Sequence, residues 1–173
     1  NFSYTFNNVR DDHTITATFE VAPSHTILAT AGEGGTINPP GTITVLYNGS
    51  QTFEFTPNEG YRLSRVMVDT TSNVTTFVEN NTYTFNNVIA NHSINAEFVA
   101  NNYNLTVHYV YADNTTAAPD HTESVTFGTT YLVTSPVITG YTTEQLVVEG
   151  TMPAQDVVVT VTYNVNYYTL TIN

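Results

Sequence analysis

The chain repeats itself, and that limits what it can fold into more than any other feature. Tyr4–Phe19 reads YTFNNVRDDHTITATF and Tyr83–Phe98 reads YTFNNVIANHSINAEF, with ten of sixteen aligned positions identical at an offset of 79 residues. Self-similarity at a fixed offset marks an array of small units, so a chain of 173 residues reads as two or more modules and not as one large core. A second echo lies lower down: NYNLTVH at Asn102–His108 returns as YYTLTIN at Tyr167–Asn173, an offset of 65. The boundaries follow from the two offsets. Residues 1–22 are expected to be the C-terminal part of a preceding β repeat and residues 23–100 a complete module. Residues 101–166 are a second module, and residues 167–173 the first strand of a following repeat.

Within each unit the side chains alternate with period two, the spacing of a half-buried strand. In LTVHYVY, Leu105, Val107, Tyr109 and Tyr111 share one face, and in VVVTVTY so do Val157, Val159, Val161 and Tyr163. Phe53 and Phe55 point inward from QTFEF; Ile94, Ala96 and Phe98 do so from HSINAEF, and Ile15, Ala17 and Phe19 from its twin. Glycine- and proline-rich turns punctuate the strands. Asn48-Gly49, between TITVLY and QTFEF, carries the dipeptide of a type I′ hairpin, and AGEGG at Ala31–Gly35 reads as another hairpin turn. No segment carries a helical period over ten residues. The fold class is therefore mainly β: small β-grasp-like modules strung end to end, with little or no long helix.

The two modules share a quieter signature. GYRLSRVMVD at Gly60–Asp69 and GYTTEQLVVE at Gly140–Glu149 both follow a turn begun by a proline, Pro57 or Pro136. One structural plan is inferred for both. In it Gly60 and Gly140 take a backbone conformation that a Cβ disfavours, while Tyr61 and Tyr141 pack under the hairpins ending at Asp69 and Glu149.

On these motifs, His25–Phe98 resembles the internalin-type B repeats of bacterial surface proteins, through TILATAGEGGTINPPGTITVLYNGSQTFEFTPNEGYRLSRVMVDT and the closing TYTFNNVIANHSINAEF. Tyr103–Tyr163 resembles the mucin-binding-protein (MucBP) repeats, through LTVHYVYADNTTAAPDHTESVTFGTTY, the Gly-Tyr pair and the closing VVVTVTY. Its first hairpin reads ADNTTAAP, where many such repeats have an acid and a glycine. The resemblance implies modules of a large, secreted bacterial adhesin, displayed at the cell surface or attached to the cell wall. Its partners would be glycans or mucin-like glycoproteins.

Composition removes most chemistry. Three arginines against fifteen acids, with no lysine, give a formal charge of −12, which repels nucleic acid and anionic membranes. The absence of lysine also excludes the Lys–Asn isopeptide crosslinks of many rod-like adhesins. The absence of cysteine excludes disulfides, thiolate metal sites and cysteine nucleophiles. His13 and His92 hold the same place in the two repeat copies, which argues for a local structural role such as a turn hydrogen bond. His25, His108 and His121 lie on separate segments without metal-ligand spacing. AGEGG precedes a β segment, so it cannot cradle phosphate at a helix N-terminus. Glu54, Glu97, Glu144 and Glu149 read as solvated strand or hairpin-end residues, not as a catalytic pair. Asp11-Asp12, Asp69 and Asp113-Asn114 offer calcium hard oxygen ligands, but none follows a calcium-loop pattern, and solvated turns are the better reading.

The sequence thus predicts a non-catalytic stalk or spacer segment with no cofactor, a monomer within a longer tandem array, contacting glycoproteins along its length. The competing reading is a carbohydrate-binding accessory module of a secreted glycoside hydrolase. The residues singled out are structural: Gly60, Tyr61, Gly140, Tyr141, His13 and His92.

Overall fold

The structure is a computed structural model and describes residues 3–172. Among the described residues, fourteen strands fall into two groups of sheets. The first group runs β1 Ser24–Ala31, β2 Gly35–Asn38, β3 Gly41–Leu46, β4 Gly49–Pro57, β5 Tyr61–Val68, β6 Ser72–Asn73, β7 Thr82–Val88 and β8 His92–Ala100. The second runs β9 Asn102–Tyr111, β10 Thr116–Thr126, β11 Thr130–Thr134, β12 Tyr141–Thr142, β13 Val147–Thr151 and β14 Val157–Val165. A single 3-10 turn at Thr75–Phe77 is the one helical element among the described residues.

In the first module a sheet of order β3-β1-β8-β5-β6 faces a smaller sheet of order β2-β4-β7. Period-two alternation supplies the core between them. Ile27, Val45, Val66, Ile94 and Ala96 come from the larger sheet, and Ile37, Phe53, Phe55, Phe85 and Val88 from the smaller. Phe53 and Ile94 have no exposed surface. In the second module a sheet of order β10-β9-β14-β12 faces the pair β11-β13 around Leu105, Val107, Tyr109, Val133, Val148, Met152, Val161 and Tyr163. The Tyr163 hydroxyl donates to the Pro136 carbonyl at 2.6 Å, satisfying a buried phenol whose pKa burial pushes up.

The two modules use one plan. The opening strand pairs in parallel with the closing strand, β1 with β8 and β9 with β14. It pairs antiparallel on its other side with β3 or β10. The strand after the Gly-Tyr turn, β5 or β12, runs antiparallel to the closing strand on that strand's other side. The smaller layers correspond too, since β4 pairs with β7 as β11 pairs with β13.

Three local expectations are corrected. Asn48-Gly49 does not close a hairpin: β3 pairs with β1 while β4 pairs with β2 and β7, so the chain crosses from one sheet to the other there. Asn48 takes φ of 60° and its N–H donates to Val88 O at 2.8 Å. The dipeptide supplied the left-handed residue, and flanking strands with other partners decided the geometry. The AGEGG turn is also a crossing, joining β1 to β2 in the opposite layer, with Gly34 at φ of 86°. Finally, Ile15–Phe19 and Leu170–Ile172 form no strand, and Phe19 is 93% exposed. Their twins β8 and β9 are held by flanking strands of their own modules, and a lone alternating segment has no ladder to join. Asn1, Phe2 and Asn173 of these end segments lie outside the described residues.

Candidate functional site

The Gly-Tyr turns stand at the same place in both modules. Tyr61 N–H donates to Asn58 O at 3.0 Å, and Tyr141 N–H to Ile138 O at 3.1 Å. Gly60 lies at φ of 79° and Gly140 at 85°, in the left-handed region where a Cβ is disfavoured. The carbonyl of each glycine then accepts an amide from the residue following the closing strand. Asn101 donates to Gly60 O and Asn166 to Gly140 O, each at 2.8 Å. Side chains brace the same asparagines: Arg62 Nη1 donates to Asn101 Oδ1 at 3.1 Å, and Thr142 Oγ1 to Asn166 Oδ1 at 3.0 Å.

Both tyrosine rings are half-buried at the sheet end, and Tyr141 packs against the second core. The reason is register. Tyr61 opposes Ala100 and Tyr141 opposes Val165, residues at the end of each closing strand. The Tyr61 ring lies against Gly34, where a Cβ would collide with it. Tyr141 packs on Tyr111 with centroids 4.5 Å apart.

Around Tyr61 the two modules meet. Phe127 sits in the crossing from β10 to β11, with its N–H donating to Asn101 O at 2.8 Å. Its ring covers Gly60, where a Cβ would stand 2.6 Å from ring carbons, and meets Tyr61 edge-on at 5.7 Å and 78°. Glycine at position 60 therefore serves both the turn and the close approach of the neighbour. Sequence reasoning missed Phe127, which entered it only within the stretch LTVHYVYADNTTAAPDHTESVTFGTTY. Its signal was an aromatic in a turn that opens just before glycine.

The repeated histidines make local contacts. His92 Nδ1 stands 2.8 Å from Asp69 Oδ2, while Ser93 N–H donates to Asp69 Oδ1 at 2.8 Å. Partial burial opposes the Asp69 charge, but the hydrogen bonds from His92 and Ser93 and the nearby imidazole outweigh it and hold the carboxyl below its ordinary range. His92 also leans on Phe85 at 5.2 Å, and its twin His13 stacks on Phe6 at the same distance. Asn8 and Asn87, one repeat apart, take φ of 56° and 54°. Local sequence reproduces that turn even where the strands around it are missing.

The remaining candidates stay apart. Arg65 forms a bidentate pair with Glu97, at 3.1 and 2.9 Å. Glu54, Glu144 and Glu149 are exposed on other strands and loops. Asp113 accepts from the Thr115 amide and hydroxyl, a closed turn that lowers its pKa through those bonds. His108 pairs with Asp120 at 2.8 Å. Among the described residues no three His, Cys, Asp or Glu side chains converge as a metal site would need.

Two small β modules whose main sheets share the order of four strands, joined by a packed aromatic contact, define the class: a tandem β-repeat segment. Within it, residues 104–164, from β9 to β14, match the family model of the MucBP domain. No curated protein matches the chain's sequence. Solved structures to which the chain is similar include the type 2 repeat of the mucus binding protein MUB from Lactobacillus reuteri. It is 19% identical, with a TM-score of 0.35 over 83% of this chain and 99% of that one. Domains 3–4 of the Streptococcal High Identity Repeats in Tandem (SHIRT) from a cell surface protein are 14% identical, with a TM-score of 0.34 over 83% and 98%. The Bacillus anthracis TIE protein is 9% identical, with a TM-score of 0.46 over 84% of this chain and 34% of that one.

Proposed function

We propose that the chain is a non-catalytic repeat segment of a secreted bacterial adhesin at the cell surface. It serves as a stalk that spaces a binding domain from the cell and touches mucin-like glycoproteins along its length. The first module is read with it as an internalin-type B repeat. The observation that carries the reading is the MucBP match in a module joined, through Gly60, Tyr61 and Phe127, to another whose main sheet shares the order of four strands. A joint fixed by backbone hydrogen bonds and an aromatic pair holds neighbours in one relation, which a spacer needs and a catalyst does not. The accessory-module alternative draws less support. The exposed aromatics of the two modules are Tyr47 and Phe77, on separate elements, not the row that a sugar platform requires.

Small-angle scattering tests the spacer role. Residues 1–173 should scatter as an elongated monomer, and a compact globule would overturn the reading. A glycan and mucin array tests the contacts; the expected result is weak binding to mucin-type glycoproteins, and none at all would leave spacing without adhesion.

A further inference from the structure

The joint has two halves, and each module carries both. The entry half is an aromatic where the chain leaves the strand beside the opening strand, β3 or β10, for the smaller layer. Ser24 pairs with Leu46 and Asn102 with Thr126, so the next residues, Tyr47 and Phe127, are equivalent. Each donates its N–H, at 2.8 Å, to the residue preceding its module's first strand, Pro23 or Asn101. The exit half is the left-handed glycine, its tyrosine and the asparagine bonded to the glycine carbonyl: Gly60, Tyr61 and Asn101, or Gly140, Tyr141 and Asn166. At the internal joint the halves meet, and Gly60 is buried beneath Phe127. At the far end of the second module the exit half is bare. Gly140 is exposed and a Cβ there would meet nothing within 4 Å. The chain after it repeats the chain after the internal joint, since Asn166 and Leu170-Thr171-Ile172 stand one 65-residue offset beyond Asn101 and Leu105-Thr106-Val107.

We infer that the Gly140–Tyr141 face is a docking site for the entry corner of a further MucBP-type module. The incoming aromatic at the Phe127 position lies over Gly140 and edge-on to Tyr141, while its amide binds Asn166 O. This deepens the stalk reading and rests on it: every module of this plan then passes its orientation to the next through one aromatic–glycine contact.

The test is a chain of residues 1–166 followed by a second copy of residues 102–166, compared by NMR with the chain as it stands. A ring lying flat on a glycine moves its Hα resonances upfield, so Gly60 is the internal reference in both proteins. With Gly60 upfield throughout, Gly140 should move upfield to a similar position only in the extended chain. It should return when Phe127 of the second copy alone is changed to Leu, a substitution outside the Gly140 module. Gly140 unmoved by extension, with Gly60 still upfield, would overturn the inference and leave the internal joint standing. Gly60 at an ordinary position would overturn both. Tyr141 and Gly140 resonances shifted by a mucin-type oligosaccharide, but not by extension, would assign the face to a glycan and overturn the inference as well.

Discussion

At the scale of single residues, the Asp69–His92 contact is where sequence repetition turns into measurable electrostatics. A carboxyl held below its ordinary range stabilises the fold fully above the unfolded value, near 3.8. That contribution is lost as pH falls through the lower folded value. The first module should therefore melt at progressively lower temperature as pH falls below about 5, through the ordinary carboxylate range and beyond it. Asp113 shifts in the same direction in the second module, so the wild-type curve alone does not isolate Asp69. Asp69→Asn does: its melts should fall less steeply with acid than the wild type's, and parallel curves would show that the contact carries no linkage.

Among the elements, the two Gly-Tyr turns are a matched pair with different surroundings. Gly140→Ala meets only the left-handed backbone penalty, about 1–2 kcal/mol. Gly60→Ala meets that penalty and must also displace the Phe127 ring, so urea melts should show a larger loss. Adding Phe127→Ala to Gly60→Ala should recover part of the excess; equal costs for the two glycines would mean that the joint does not form. Burial ranks the aromatics in the same way. Phe53, with no exposed surface, should cost about 3–5 kcal/mol on truncation to Ala, and the half-buried Tyr61 and Tyr141 should cost less. Tyr61→Ala losing as much as Phe53→Ala would place that ring in the core.

For the whole molecule, the strength of the joint sets how far the modules act together. An edge-on aromatic pair adds about 0.5–1.5 kcal/mol beyond burial, less than the stability of a folded domain. The two modules should therefore unfold in separable steps, the coupling showing as a shift of one midpoint when the other module melts. Phe127→Ala should abolish that shift while leaving both transitions in place, because Phe127 is half-buried and outside the second core. A single cooperative transition, unchanged by Phe127→Ala, would instead mean one core shared by both modules.

Sequence by itself determined whatever depends on neighbours along the chain. Alternation placed Phe53, Phe55, Leu105, Val107 and Val161 inside, because a strand's side chains have a strict period of two. The offsets of 79 and 65 exposed the repeats, and the backbone turn at Asn8 and Asn87 recurs with them because its φ is a local matter. Tertiary structure alone decided which strands pair. Asn48-Gly49 looked like a hairpin because the dipeptide favours one, yet β3 and β4 were claimed by partners in opposite sheets. Ile15, Ala17 and Phe19 have the pattern of β8 and no ladder, since a strand's hydrogen bonds come from elsewhere in the chain. Phe127 became half of a joint through Gly60, 67 residues away, and Gly140 lies bare where Gly60 is covered. Nothing local distinguishes those two glycines; only the ring above one of them does.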